Sequence, residues 1–160
     1  MSIYELKPRF QAFLRPLTGA LHRAGITANQ VTVAACVGSG LLGALLAAGY
    51  GGRALFLLVP FWLLARMALN AIDGMLAREF GQASALGAYL NELGDVVSDA
   101  ALYAPFALLP GSSPWLVGIL IVLSALAEMA GILGATLGRG RRYDGPMGKS
   151  DRAVVFGALG

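Results

Sequence analysis

The chain has 160 residues, of which 57% are hydrophobic and 13% are charged, and its formal net charge is +3. Soluble domains carry about 25% charged residues, and the mean hydropathy of this chain is +0.68, so a soluble globular fold is excluded. The composition indicates an integral membrane protein with a single domain over residues 1–160. Membrane topology and anionic lipid explain the small positive charge without a nucleic-acid partner.

The chain opens with an interfacial segment over residues 1–26, in which Phe and Leu are mixed with Lys and Arg. This mixture is typical of a helix that lies on the membrane surface. Runs long enough to span a bilayer, roughly 20 apolar residues, follow at about 29–50, 54–77, 85–109 and 113–137. A fifth run begins near Asp151 and is still apolar at Gly160. We therefore expect an all-α, polytopic membrane helix bundle that ends within its fifth span, with a C-terminal part missing.

Basic residues predict the orientation. If the four spans alternate in direction, nearly all Lys and Arg residues outside them fall on one side of the membrane, and only Arg53 falls on the other. Positive charge favours the cytoplasmic side. The N-terminus, the connection at 78–81 and the loop at 138–150 are thus expected in the cytoplasm. Small residues in the first span, Gly38, Gly40 and Gly43, predict close helix packing.

Acidic and amide side chains interrupt the second and third spans. Residues three or four apart share a helix face, so each span carries one polar stripe; the stripes are Asn70, Asp73 and Ala77, then Asn91, Asp95 and Asp99. In antiparallel neighbours joined by a short connection, Asp73 and Asp95 are expected at similar depth. Carboxylate and amide oxygens suit Mg²⁺ or Mn²⁺, and the sequence has no His/Cys cluster for zinc.

Small residues lie beside the first acid. Gly74 and Ala77 leave room for a ligand against the helix, and Arg78 supplies a planar fork of donors for phosphate. Together with a metal, this notch predicts a diphosphate-binding site. A structural ion pair or a proton relay would explain the acids alone, but neither would explain the notch.

These residues resemble the signature of the CDP-alcohol phosphotransferase family, D-x2-D-G-x2-A-R-x8-G-x3-D-x3-D. The matching positions are Asp73, Gly74, Ala77, Arg78, Gly87 and Asp95, with the required spacing between Arg78 and Gly87. Asn29 and Thr32 resemble the start of the family's first span, and Lys149 and Arg152 resemble the basic residues that open its fifth span.

The resemblance implies a six-span fold and a metal-dependent reaction at the cytoplasmic side of a bacterial inner membrane. A CDP-linked lipid or alcohol would transfer its substituted phosphate to an acceptor alcohol and release CMP, as in phospholipid synthesis. Family members commonly form homodimers. The implied metal ligands are Asp73, Asp95, Asn70 and Asn91, with Asp95 as general base. The implied donor-binding residues are Asn29, Thr32, Gly74, Ala77, Arg78 and Gly87, and Lys149 and Arg152 are candidates for binding phosphate or the acceptor.

The chain departs from the signature at two of its four acids, where Asn70 and Asn91 stand. An amide oxygen ligates a cation but brings no charge. We therefore expect one divalent ion to bind tightly through Asp73 and Asp95, and a second to bind weakly or only with substrate.

A deeper polar cluster is expected below these residues. At a rise of about 1.5 Å per residue, Arg66, Asp99 and Glu128 reach similar depth on three spans. An unpaired charge there is costly, so Arg66 is expected to pair with Asp99 or Glu128. A structural ion pair is the favoured interpretation, ahead of an acceptor-alcohol site.

Three functions are therefore considered. The first is the CDP-alcohol phosphotransferase. The second is a non-catalytic lipid-nucleotide binding or scaffold protein that retains the fold, which Asn70 and Asn91 favour. The third, a proton or cation pathway through Asp95, Asp99 and Glu128, ranks last because it leaves the Gly74, Ala77 and Arg78 notch without a role.

Overall fold

The computed structural model describes residues 3–136, and the side chains of residues 8–134. The elements are α1 (Ile3–Arg23), α2 (Ala28–Ala47), a 3-10 helix (Gly52–Leu57), α3 (Leu58–Glu79), α4 (Ala85–Tyr103), a second 3-10 helix (Ala104–Leu108) and α5 (Pro114–Thr136). The all-α prediction is confirmed for this part of the chain. The expected fifth span and the loop at 138–150 lie outside the described residues.

Within residues 3–136, three helical segments are long and apolar enough to cross a membrane: Ala28–Ala47, Gly52–Glu79 and Pro114–Gly134. The sequence predicts a further span over 85–109, and α4 differs from the other three because it carries the carboxylates Glu92, Asp95 and Asp99. All three carboxylates are buried, whereas Leu93 and Val97 on α4 are exposed. The polar side of α4 therefore faces the bundle, and its exposed apolar side chains suit lipid.

Helix α2 is the packing centre of the bundle, since it lies closely against both α3 and α4. A Cβ at Gly43 would lie 2.1 Å from the main-chain oxygen of Ala101, and one at Gly38 would lie 2.3 Å from the Trp62 ring. The Trp62 indole N–H donates to Ser39 Oγ at 2.9 Å. The close packing predicted from the small residues is thus confirmed at Gly38 and Gly43.

Helix α1 packs along α3 on one face and is exposed on the other. Leu14 is buried in a cluster with Ile72 and Leu76 of α3. Phe13 and Leu17 remain 80% and 50% exposed, respectively. This division of its apolar side chains agrees with an interfacial helix, one face of which contacts protein while the other contacts lipid.

The Gly43→Ala variant is expected to lower the free energy of unfolding by at least about 2 kcal/mol, because the new methyl group collides with a backbone that cannot move independently. Gly40→Ala is the matched control in the same helix, since a Cβ at Gly40 meets no atom within 4 Å. That control is expected to match or slightly exceed the wild type, as alanine is the better helix former. Denaturant unfolding in detergent, followed by circular dichroism, measures both, and equal stabilities would contradict the packing described for α2 and α4.

Candidate functional site

The sequence-predicted site residues gather at the end of the bundle where α3 ends and α2 and α4 begin. Thr27 starts α2 with a capping box, in which its side chain accepts from Gln30 N and the Gln30 side chain accepts from Thr27 N. Ser84 starts α4, and its Oγ accepts from Gly87 N at 2.9 Å. The Ala28 N–H donates to Gln82 Oε1 at 2.7 Å, which ties the start of α2 to the α3–α4 connection.

Asp73 is held from α2. The Thr32 hydroxyl lies 2.7 Å from Asp73 Oδ2 and donates to it. Both residues are buried, so this bond lies inside the bundle, where a charge-assisted hydrogen bond is strong. The sequence associates Thr32 with the donor, but nothing in the helical spacing of α3 reveals that Thr32 contacts Asp73.

Asp95 is held from α3. Arg66 Nη2 donates to Asp95 Oδ1 at 2.8 Å and to the Asp95 main-chain oxygen at 3.0 Å. Arg66 Nη1 donates to Asp99 Oδ1. Asn70 Nδ2 lies 3.0 Å from the same Asp95 Oδ1 and is its second donor. The predicted pairing of Arg66 with Asp99 is confirmed, and the pairing with Asp95 is an additional contact that the sequence analysis missed.

Asp95 contacts α3 at Arg66 and Asn70. Asp95 lies level with Asn70, because two short side chains meet there, and Asp73 lies three residues, or about 4.5 Å, further along α3. The similar depth expected for Asp73 and Asp95 stays a prediction.

Three further polar side chains lie on α4 and α5. Asn91 is half-buried, and its Nδ2 lies 3.4 Å from Glu92 Oε1, which is a long hydrogen bond. Glu92 is itself buried, although the helical spacing turns it away from Asn91. Glu128 is 1% exposed on α5, which packs against α4.

At the notch predicted beside Asp73, Arg78 lies over Gly74. Arg78 Nη2 lies 2.9 Å from the place that a Cβ on Gly74 would take, so the guanidinium folds over this glycine. Asn29 Oδ1 on α2 lies 2.7 Å from the corresponding place at Gly87 on α4. Ala77 is partly buried and packs against the cluster that contains Leu14 of α1. Gly74 thus leaves room for the Arg78 side chain, and Gly87 leaves room for the Asn29 side chain. A larger residue at either glycine would displace that side chain.

Outside the notch, α1 braces the end of α3. Arg15 forms an ion pair with Glu79, with Arg15 Nη2 2.8 Å from Glu79 Oε1. The hydrogen bond and the negative charge of Glu79 raise the pKa of Arg15 above its ordinary value. The His22 ring packs on Phe80 with centroids 4.3 Å apart. The Arg15–Glu79 ion pair is exposed, and such pairs contribute little stability.

The carboxylates at this end are oxygen donors of the kind that a divalent cation takes. Asp73 and Asp95 are two buried carboxylates, and hard cations prefer such oxygens. Among the described residues, no group of three or more His, Cys, Asp or Glu side chains is arranged to hold a metal ion. Further ligands would have to be the amide oxygens of Asn70 and Asn91, and the Asn70 amide presents its NH₂ group to Asp95.

Comparison with known proteins assigns this arrangement to a family. The model of the family described as CDP-alcohol phosphatidyltransferase matches residues 25–158. The chain belongs to this family. It is also 50% identical over 160 residues to the Inner membrane protein YnbA of Escherichia coli (strain K12), a match that covers 100% of the chain and 79% of the relative. No solved structure matches the chain significantly.

Membership of the CDP-alcohol phosphatidyltransferase family confirms the resemblance based on the signature. It makes the chain a member of a transferase family that moves phosphatidyl groups from CDP-alcohols and that generally uses a divalent metal. Lys149 and Arg152 lie outside the described residues, so their expected phosphate or acceptor contacts stay predictions.

The Asp99→Leu variant is expected to lower the free energy of unfolding by about 3 kcal/mol, since it leaves a buried guanidinium with one carboxylate in place of two. Glu79→Leu is the comparison, because Glu79 pairs with Arg15 at the surface and its loss is expected to change stability very little. Denaturant unfolding in detergent measures both variants. Equal losses would show that Arg66 gains nothing from Asp99.

Proposed function

We propose that this protein transfers a phosphatidyl group from a CDP-linked lipid, such as CDP-diacylglycerol, to an acceptor alcohol and releases CMP. The observation that carries the proposal is the convergence of family-signature residues from three helices: Thr32 on Asp73, Arg78 over Gly74, and Asn29 beside Gly87. The resemblance of the chain to an inner membrane protein, together with three membrane-length helices, supports a location in the inner membrane.

Asp95 is proposed as the general base. The acceptor hydroxyl loses its proton to the Asp95 carboxylate while its oxygen attacks the phosphorus distal to the cytidine. The bond from that phosphorus to the oxygen bridging it to CMP breaks, and CMP leaves with the electron pair. Arg66 and Asn70 orient the Asp95 side chain through Oδ1, which supports this role because a base must be fixed within reach of its proton.

Arg78 and the two signature glycines are proposed to receive the donor. The Arg78 guanidinium is exposed at the end of α3, and its planar fork matches the oxygens of a diphosphate. Gly74 and Gly87 let the donor approach the helix backbones. Thr32 holds Asp73 in place, and Asn29 offers a polar group to the nucleotide.

Asp73 and Asp95 are the proposed holders of a divalent ion, with amide oxygens of Asn70 and Asn91 as additional ligands. When bound, Mg²⁺ or Mn²⁺ would offset the negative charge of the diphosphate. The protein's own contribution is to hold two buried carboxylates at this end of the bundle and to exclude water from its apolar part.

A second candidate is a non-catalytic protein that binds the CDP-lipid through the same notch. The observation in its favour is that Asn70 donates to Asp95 Oδ1, because an amide in this place contributes to satisfying the carboxylate without a metal ion. Binding of CDP-diacylglycerol without CMP release in the presence of Mg²⁺ or Mn²⁺ and a panel of alcohols would support this candidate.

The Asp95→Asn variant is expected to release CMP from CDP-diacylglycerol at least about 100-fold more slowly, since its amide cannot take the proton. Glu79→Gln makes the same chemical change outside the site and is expected to keep the wild-type rate. Release of labelled CMP by purified protein in mixed micelles, with acceptor alcohols supplied singly, measures both. A wild-type rate in Asp95→Asn would exclude Asp95 as the base.

Removal of divalent metal with EDTA is expected to abolish CMP release, and Mg²⁺ or Mn²⁺ is expected to restore it, because the diphosphate charge would otherwise face Asp73 and Asp95 directly. Calorimetric titration of Mn²⁺, with and without CDP-diacylglycerol, measures the number of ions. We expect one tight site per chain without lipid. Two tight sites in the lipid-free protein would contradict the expectation that Asn70 and Asn91, which bring no negative charge, limit tight binding to one ion.

A further inference from the structure

The contacts of Arg66 are those that a bound cation would make. One guanidinium contacts three oxygens on a single turn of α4: Asp95 Oδ1, the Asp95 main-chain oxygen and Asp99 Oδ1. Arg66, Asp95 and Asp99 are all buried, with exposures of 7%, 4% and 7%. Two carboxylates and a carbonyl are also the oxygen ligands that hard divalent cations take.

Asn70 strengthens this arrangement from one turn along α3. Its NH₂ group approaches the same Asp95 Oδ1 that Arg66 contacts. At this depth α3 therefore presents a full positive charge and an amide donor to Asp95. A divalent ion between Asp95 and Asp99 would have to displace the guanidinium or lie beside it, and like charges repel strongly where little water screens them.

We infer that Arg66 is a fixed internal cation of the site, which fills the position between Asp95 and Asp99 and limits the protein to one divalent ion. The divalent ion then binds toward Asp73, on the side of Asp95 away from Arg66. This inference rests on the metal-binding part of the proposed function. It differs from a purely structural ion pair, which would stabilise the bundle but would leave the number of bound ions unchanged.

Titration of purified protein in detergent with Mn²⁺, followed by electron paramagnetic resonance, tests the inference without an activity assay. Arg66→Met and Arg66→Gln remove the positive charge. Arg66→Lys keeps the charge but lacks the planar guanidinium group. The neutral variants are expected to bind one more Mn²⁺ per chain than the wild type, and the lysine variant is expected to bind as the wild type does. Equal numbers of ions in the neutral variants and the wild type would overturn the inference.

Two further measurements show where the extra ion binds and control for misfolding. Arg66→Gln keeps an amide donor for Asp95, so it serves where Arg66→Met does not give a monodisperse peak in size-exclusion chromatography. Adding Asp99→Asn to Arg66→Gln is expected to remove the extra ion, because Asp99 supplies a carboxylate of the vacated position. Retention of the extra ion in the double variant would overturn the inference.

The outcomes separate this inference from the proposed function. If the wild type binds no Mn²⁺ but the neutral variants bind one ion, the metal part of the proposed function and the ion placed toward Asp73 are wrong, whereas the exclusion of an ion from between Asp95 and Asp99 by Arg66 holds. If the wild type releases CMP and binds one ion, and the neutral variants also bind only one, the transfer activity holds and the inference is wrong.

Discussion

A buried guanidinium between two helices sets the arrangement of this bundle. Arg66 on α3 would be costly in an apolar interior without partners, and Asp95 and Asp99 on α4 supply them. This requirement fixes the register of α4 against α3, because a shift of one turn would leave a charge without its partner. The position of every acid on α4 relative to α3 follows from that register.

Helix α2 provides the close packing, whereas α3 and α4 carry the buried aspartates. Helix α2 approaches α4 so closely at Gly43 that its backbone touches the Ala101 carbonyl, and Gly38 accepts the Trp62 ring of α3. Helices α3 and α4 approach each other less closely than either approaches α2, and long polar side chains cross the space between them. Because α2 carries the close packing, the α3–α4 space can hold carboxylates and a ligand without a loss of core density.

The sequence predicts the helices well, since their apolar runs are long and their ends carry turn residues such as Thr27 and Ser84. It also predicts the polar stripes and the Arg66–Asp99 pair, because helical rise converts position into depth. It does not predict that Asp95 lies level with Asn70, since the register of antiparallel helices depends on the path of the connection between them. Nor does it predict the Thr32–Asp73 bond, which depends on how α2 is rotated.

Asn70 stands where the family signature has an acid, and this replacement weakens divalent-ion binding at Asp95 in two ways. It removes a negative charge that would attract a divalent ion, and it adds an NH₂ group that donates to Asp95. An aspartate at the same place could not donate, and its charge would repel Asp95 unless a cation lay between them. With Asn70 and Arg66 both on Asp95 Oδ1, this carboxylate is stabilised by the protein alone. A cation at Asp95 therefore competes with two donors of the protein for the same carboxylate.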